Sequence, residues 1–309
     1  MPALICGSFA FDTIMNFPGR FAEQILPDQL HILNASFLVP DLRRDFGGCA
    51  GNIAYALKLL GGTPLPMATL GSDGADYLAR LKTQGISTEF VRQVADAYTA
   101  QAMIMTDRDN NQITAFHPGA MMQAHINTIA PRPDIRIGII SPDGRDAMLQ
   151  HAQQFKAAGI PFVFDPGQGL PMFNGDELIR FIDQASWVTV NDYEGKMLCE
   201  RTGLSCADIS QRVHGLVVTL GHEGCEVWVG GDRTHVARPW MTDDFWVDIR
   251  TTVDSLSCSL SRLRKRVGVR AVASHKTSVI RHGPHPGSLH KDRGGKGICQ
   301  ASEAVVYVV

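Results

Sequence analysis

Apolar and polar positions along the chain fall into two textures. Short, near-continuous apolar runs occur at Ala3–Gly7 (ALICG), Ile135–Ser141 (IRIGIIS), Pro161–Asp165 (PFVFD), Ser186–Asn191 (SWVTVN) and Leu216–Leu220 (LVVTL). Their length and β-branched content predict strands buried on both faces. Between them, helical spacing predicts helices over Gly51–Leu60, Gly74–Thr83, Arg145–Ala158, Asp176–Gln184 and Asp192–Thr202. In the first of these, Ile53, Leu57 and Leu60 recur at i, i+4 and i+7, so one stripe faces a core. Strands alternating with helices predict an α/β fold, a mostly parallel sheet covered by helices on both faces.

The second texture interrupts the first. Ala102–Thr106 and Ile113–Phe116 flank the polar segment Asp107–Gln112 (DRDNNQ), which predicts a hairpin. Thr13–Pro18 and His31–Val39 read as further strands near the N-terminus. Strands outside the α/β alternation predict a small β lid over the edge of the main sheet. The lid strands are expected at about 12–40 and 99–117, inserted in a core spanning residues 1–237.

Past Arg238 the alternation stops. Thr251–Arg270 is rich in Ser and Arg, and Ser274–Gly297 has neither a helical nor a strand period. The charge changes at the same place: 12 Lys/Arg against 6 Asp/Glu from Arg238 on, and 17 against 25 before it, so +6 follows −8. Residues 238–309 are therefore expected to form an atypical basic tail.

Composition narrows the function classes. With 44% apolar and 19% charged residues and a net charge of −2, the chain has ordinary globular composition and no global attraction to nucleic acid or anionic membrane. No apolar run approaches the roughly 18–20 residues that span a bilayer, and no signal-peptide pattern opens the chain, so a cytoplasmic location is expected. Seven cysteines, odd in number and never spaced C-x-x-C, argue for reduced thiols rather than a disulfide framework or a structural zinc site.

Four segments can carry chemistry. Gly47-Gly48-Cys49-Ala50-Gly51-Asn52 precedes the strongest helix, where glycines let backbone approach a ligand and free N–H groups favour polar groups. Asn52 both donates and accepts, as sugar hydroxyls require, although a plain Gly-rich helix start fits equally. Asp12 follows the first strand, where open α/β sheets bind ligands; a solvated loop aspartate is the alternative. Asn191-Asp192-Tyr193-Glu194 joins a strand to a helix. Asp192 reads there as an N-cap, and Asn191 with Glu194 as a pair able to order hydrated Mg²⁺. Thr219-Leu220-Gly221-His222-Glu223-Gly224 is either a phosphate-holding loop or a tight turn into Cys225–Val229.

Other signals fail. Gly294-Gly295-Lys296-Gly297 lacks the Ser/Thr of a P-loop, His282, His285 and His290 lack cysteine partners, and the Arg262–Arg270 cluster lacks interleaved aromatics.

Taken in order, the segments resemble the ribokinase-like (PfkB) sugar and nucleoside kinases. The match runs through G-S-x-x-x-D at Gly7–Asp12, D-x-G-G-x-x-x-N-x-A at Asp45–Ala54 and the LGSDG of Leu70–Gly74. It continues with F-D-P at Phe164–Pro166, N-x-x-E at Asn191–Glu194 and V-T-x-G-x-x-G at Val218–Gly224, covering roughly residues 3–237. Phe116–Met121 looks most like the bacterial adenosine-kinase-like branch. The resemblance implies a ribokinase-like fold and transfer of the γ-phosphoryl of ATP, with Mg²⁺, to a hydroxymethyl group of a nucleoside or sugar. It implies that Asp12, Gly48 and Asn52 hold sugar hydroxyls. Asn191 and Glu194 would organise Mg²⁺ and phosphates, and Thr219, Gly221 and Gly224 would form the nucleotide loop. A small-molecule substrate is the expected partner, as a monomer or a homodimer.

One part of the pattern is missing. The family carries a G-A-G-D-like or G-C-G-D-like motif whose amides form an anion hole and whose aspartate is the base. None follows Gly224: Asp232, Asp243, Asp244, Asp248, Asp254 and Asp292 all lack a preceding G-x-G. The catalytic residue is therefore unassigned. One hypothesis accounts for the lost motif, the charge break and the lost periodicity: translation out of the ancestral frame from about Arg238. Sequencing the encoding DNA tests it, and another frame that restores no G-x-G-D segment there refutes it. The alternative function is a catalytically dead sugar- or nucleoside-binding member of the family. A nucleic-acid interactor is disfavoured by the acidic first 237 residues.

Overall fold

The computed structural model describes residues 2–25 and 27–237; the expectations for residues 238–309, the basic tail and the frame change among them, lie outside the described residues. In chain order the elements are β1 (Pro2–Cys6), β2 (Ala10–Asn16), α1 (Phe21–Gln24), β3 (Asp41–Gly47), α2 (Cys49–Leu59), β4 (Thr63–Leu70), α3 (Ala75–Thr83), β5 (Phe90–Gln93), β6 (Ala100–Thr106) and β7 (Gln112–His117). They continue as β8 (Ile137–Ile140), α4 (Arg145–Ala158), β9 (Phe162–Phe164), α5 (Gly175–Gln184), β10 (Trp187–Asn191), α6 (Asp192–Thr202), α7 (Cys206–Arg212), β11 (Gly215–Thr219), β12 (Cys225–Val229) and β13 (Asp232–Val236).

The larger sheet has the order β13-β12-β11-β10-β9-β8-β1-β4-β5. From β11 through β5 all neighbours run parallel, and β12 and β13 join as an antiparallel edge. Successive residues Ala3, Leu4, Ile5 and Cys6 of β1 are all buried, as a strand covered on both faces requires. This is the mostly parallel sheet the apolar runs predict. α4 buries Ala147, Met148, His151, Ala152 and Phe155, a single stripe, against the sheet. Phe155 stacks on Phe162 (centroids 5.4 Å apart), and Phe164 on Phe181 (4.3 Å).

The smaller sheet has the order β3-β2-β6-β7. β6 and β7 form the hairpin expected around Asp107–Gln112. Asp107 explains the turn: its Oδ1 accepts the N–H groups of Asp109 and Asn111, both at 2.9 Å. Here the structure corrects one expectation. His31–Val39 is not a strand: a 3₁₀ turn covers Pro27–Ile32, no regular element follows through Val39, and the strand begins only at Asp41. The strand is exposed over Asp41–Arg44, where Leu42 is the one apolar side chain, so it carries no apolar run for the eye to find.

β4 was hidden from the pattern by Pro64 and Pro66, which ordinarily argue against a central strand. Its pairing resolves the conflict. Thr63–Met67 pairs with β1, whereas β5 pairs only with Met67–Leu70. Both prolines therefore lie where one side of β4 has no strand to receive an N–H.

Candidate functional site

The sheet order creates a crevice. β1 lies between β4 and β8, and the chain leaves β1 toward β4 before returning to β8, so the loops after β1 and β8 diverge. Open α/β sheets bind ligands at such a switch point, outside the carboxyl ends of the strands. Ser8 ties its walls together. Its N–H donates to Pro142 O (3.0 Å), its carbonyl accepts the Ala50 N–H (3.0 Å), and its Oγ accepts the Cys49 N–H (3.1 Å). The amino end of α2 is thereby fixed over the crevice. Gly48 makes the approach possible: its φ is +90°, and a Cβ there would lie 2.5 Å from Ser8 O and 2.6 Å from Ala10 N.

Asp12 stands in β2 directly opposite Asp45 of β3. Burial first, and Asp45 second, push its carboxyl above the usual range. The carboxylate leans over Gly47, where a Cβ would come 2.3 Å from Oδ2. Asp12 and Gly48 are thus brought to the start of α2, with Asn52 exposed on its first turn, its N–H donating to Gly48 O at 3.0 Å. The strand registers also put Ala102 beside Asp12 and Phe116 beyond Ala102, with Ile14 and Ile104 on the same face. Phe116 is 53% exposed.

Two acids at this edge were missed as site residues. Asp143, 2% exposed, follows β8; its Oδ1 accepts the Gly144 N–H at 2.9 Å, and Oδ2 finds no partner among the described residues. Burial pushes its carboxyl up to about 8. Asp165, also buried, follows β9 and donates its N–H to Ile140 O at 2.8 Å. Burial first, then Asp165, Asp143 and Asp12, raise the Cys49 thiol to about 12. The available signal was an acid placed immediately after an apolar strand, S-P-D and F-D-P.

The second group lies farther along the same edge. Asn191 ends β10 and pairs in register with Thr219 of β11. The N-cap of α6 is Asn191 rather than Asp192, a correction to the sequence reading. Asn191 Oδ1 accepts the Glu194 N–H at 2.7 Å, and Glu194 Oε2 accepts the Asn191 N–H at 2.9 Å. After Thr219, Gly221 (φ +56°) and Gly224 (φ +102°) shape a tight turn into β12, closed by Leu220 N–H to Gly224 O at 2.8 Å. From β1 to β10 is three strand steps and to β11 four, about 14–19 Å along the edge. A carboxylate and an amide oxygen are the hard donors Mg²⁺ takes, and two protein ligands suit an ion that keeps most of its shell as water and phosphate. Asn191 and Glu194 fit that role at the level of donor chemistry.

Known proteins share this fold. A family model described as pfkB family carbohydrate kinase matches residues 9–243. A nucleoside kinase of Methanocaldococcus jannaschii is 30% identical over 240 residues, covering 76% of this chain and 75% of that protein. The Burkholderia thailandensis nucleoside kinase solved in complex with inosine is 52% identical with a TM-score of 0.67, over 76% of this chain and 75% of that one. The same enzyme solved with ADP-inosine is 52% identical with a TM-score of 0.66, over 80% and 77% of the two chains. No helix among the described residues is long and apolar enough to cross a membrane. A parallel sheet with its switch point beside β1, the ordered motifs along its edge and these matches together make the chain a member of the pfkB family of carbohydrate kinases, with the ribokinase-like fold.

Proposed function

We propose that the chain binds a nucleoside at the β1–β8 crevice and ATP along β10–β11, for phosphoryl transfer to the nucleoside's hydroxymethyl group. The single observation that carries this reading is Asp12, a half-buried acceptor of the smaller sheet that leans over Gly47 at the start of α2, beside the crevice after β1. Asp12 accepts hydrogen bonds from two adjacent sugar hydroxyls, with Asn52 adding a donor and an acceptor. A nucleoside is favoured over a simple sugar by the row Asp12, Ala102, Phe116, which spans two strand steps, about 10 Å. Ala102 leaves space between a carboxylate and an aromatic face, a span that a purine nucleoside bridges and a hexose does not. The inosine bound by the B. thailandensis relative supports the same choice.

On this reading Thr219, Gly221 and Gly224 hold nucleotide phosphates. Glu194 and Asn191 would hold Mg²⁺, which would neutralise phosphate charge. The smaller sheet closes as a lid, so that water does not compete for the phosphoryl group. The missing G-x-G-D motif favours a second reading, nucleoside binding without turnover. Calorimetry with inosine, adenosine, ribose and fructose, followed by a product assay with Mg·ATP, decides. Nucleoside binding with phosphorylated product supports the first reading, and binding without product the second. Binding of no nucleoside or sugar refutes both.

A further inference from the structure

Two cysteines of α6 and α7 face each other. Cys199 lies one turn before the end of α6, and Cys206 opens α7. Their sulfurs are 3.7 Å apart. The intervening turn is held rigidly. Gly203 (φ +70°) donates its N–H to Cys199 O at 2.9 Å, and Thr202 Oγ1 donates to Leu198 O at 2.7 Å. Ser205 and Asp208 then cap α7 reciprocally, through Ser205 N–H to Asp208 Oδ2 (2.9 Å) and Asp208 N–H to Ser205 Oγ (3.1 Å). Both thiols line a cleft of about 400 Å³ among the described residues, bordered by Gly195, Val218, Leu220 and Glu226. A small oxidant therefore has a route to them.

We propose that Cys199 and Cys206 are a modification site: a vicinal thiol pair that hydrogen peroxide converts to an intrachain disulfide. Bringing sulfurs from 3.7 Å to a bonding distance of about 2.05 Å needs side-chain rotation shared by two residues. The chemistry balances in two steps. The Cys206 sulfur attacks one peroxide oxygen, the O–O bond breaks, and the departing oxygen leaves as water, giving a sulfenic acid. The Cys199 sulfur then displaces that hydroxyl as a second water, forming the S–S bond. Two thiols are oxidised and one peroxide is reduced to two waters. Burial first, with Cys206 second, holds the Cys199 thiol up at about 12, which suits the partner that reacts second.

The test treats the full chain with hydrogen peroxide, alkylates remaining thiols and digests with trypsin without reductant. Cleavage after Lys196, Arg201 and Arg212 puts the two cysteines on separate peptides, 197–201 and 202–212. The expected product is those peptides joined, lighter by two hydrogens than their sum, and reverting on reduction. Cys225→Ser leaves the link intact. Cys206→Ser and, as an independent check, Cys199→Ala abolish it. In the wild type, oxidation raises the midpoint of thermal unfolding by several degrees, and reduction reverses the rise. Recovery of the two peptides unlinked, or a link from either to a third cysteine, overturns the proposal.

Discussion

Replacing Asp143 by Asn tests the electrostatics of the crevice. Asp143 is 2% exposed, and its carboxyl is raised from 3.8 to about 8 by burial. A group raised in the folded state stays protonated there while the unfolded chain ionises. Its contribution to stability is full below about pH 4 and is lost progressively as pH rises to about 8. About four pH units at 1.36 kcal/mol each set a ceiling on the order of 5 kcal/mol. That ceiling is comparable to the whole stability of a domain, about 5–15 kcal/mol. Asn keeps the shape and still accepts the Gly144 N–H, but leaves a buried amide donor in place of Oδ2, at about 1–3 kcal/mol at every pH. Urea unfolding of both proteins from pH 4.5 to 8.5 gives the difference directly, because every other titrating group cancels. The wild type is expected to be the more stable near pH 5, and the variant to gain on it by at least about 2 kcal/mol by pH 8. A difference that stays constant across the range refutes the reasoning, since it means that Asp143 ionises in the folded protein as it does in the unfolded chain.

Other outcomes follow from the same geometry. Gly48→Ala is expected to cost about 3 kcal/mol, from a φ of +90° and a Cβ 2.5 Å from Ser8 O, and to weaken nucleoside binding by calorimetry. Phe116→Ala, on a 53% exposed side chain, is expected to weaken inosine binding about tenfold and leave the thermal midpoint nearly unchanged. Asp12→Ala is expected to abolish binding of nucleoside in the same titration, with stability kept or raised because an opposed carboxylate pair is relieved. His151, 1% exposed, has Nε2 3.1 Å from Asn127 O and Nδ1 without a partner among the described residues. Burial lowers it to about 4, so its contribution is present above about pH 6.5 and lost as pH falls toward 4. His151→Gln is expected to flatten that acid limb of the unfolding profile, by up to about 3 kcal/mol.

The chain announces its structure where one physical demand dominates. α4 and α6 have the boundaries that spacing predicts, Arg145–Ala158 and Asp192–Thr202: a buried stripe marks α4, the Asn191–Glu194 capping box opens α6, and Gly159 and Gly203 close them. β4 escapes because two prolines are tolerated only by a pairing pattern that no local window contains. β13 escapes because Asp232, Arg233, Thr234 and His235 are all exposed. Asp12 and Gly48 stand out as candidates in the sequence, one after a strand and one before a helix, but no local window shows that Asp12 lies within β2 opposite Asp45. The segment around Asp143 is tied to the loop after β1 through Ser8 N–H to Pro142 O, 134 residues apart, and no neighbouring residue encodes its burial. The Cys199–Cys206 pair is hidden for a different reason: seven residues of separation mean contact only once Gly203 turns the chain.

The place of β1 in the sheet sets an order of events during synthesis. Its carboxyl end leaves the ribosome before the other described strands, yet the Cys6 carbonyl meets its Ser141 partner 135 residues later. At about 5–20 residues per second, that is on the order of ten seconds. Throughout that interval a strand whose Ala3, Leu4, Ile5 and Cys6 are all buried in the finished sheet has a companion on one flank at most. A nascent chain of this design is a natural client for chaperones, and pausing translation before β8 would lengthen its exposure.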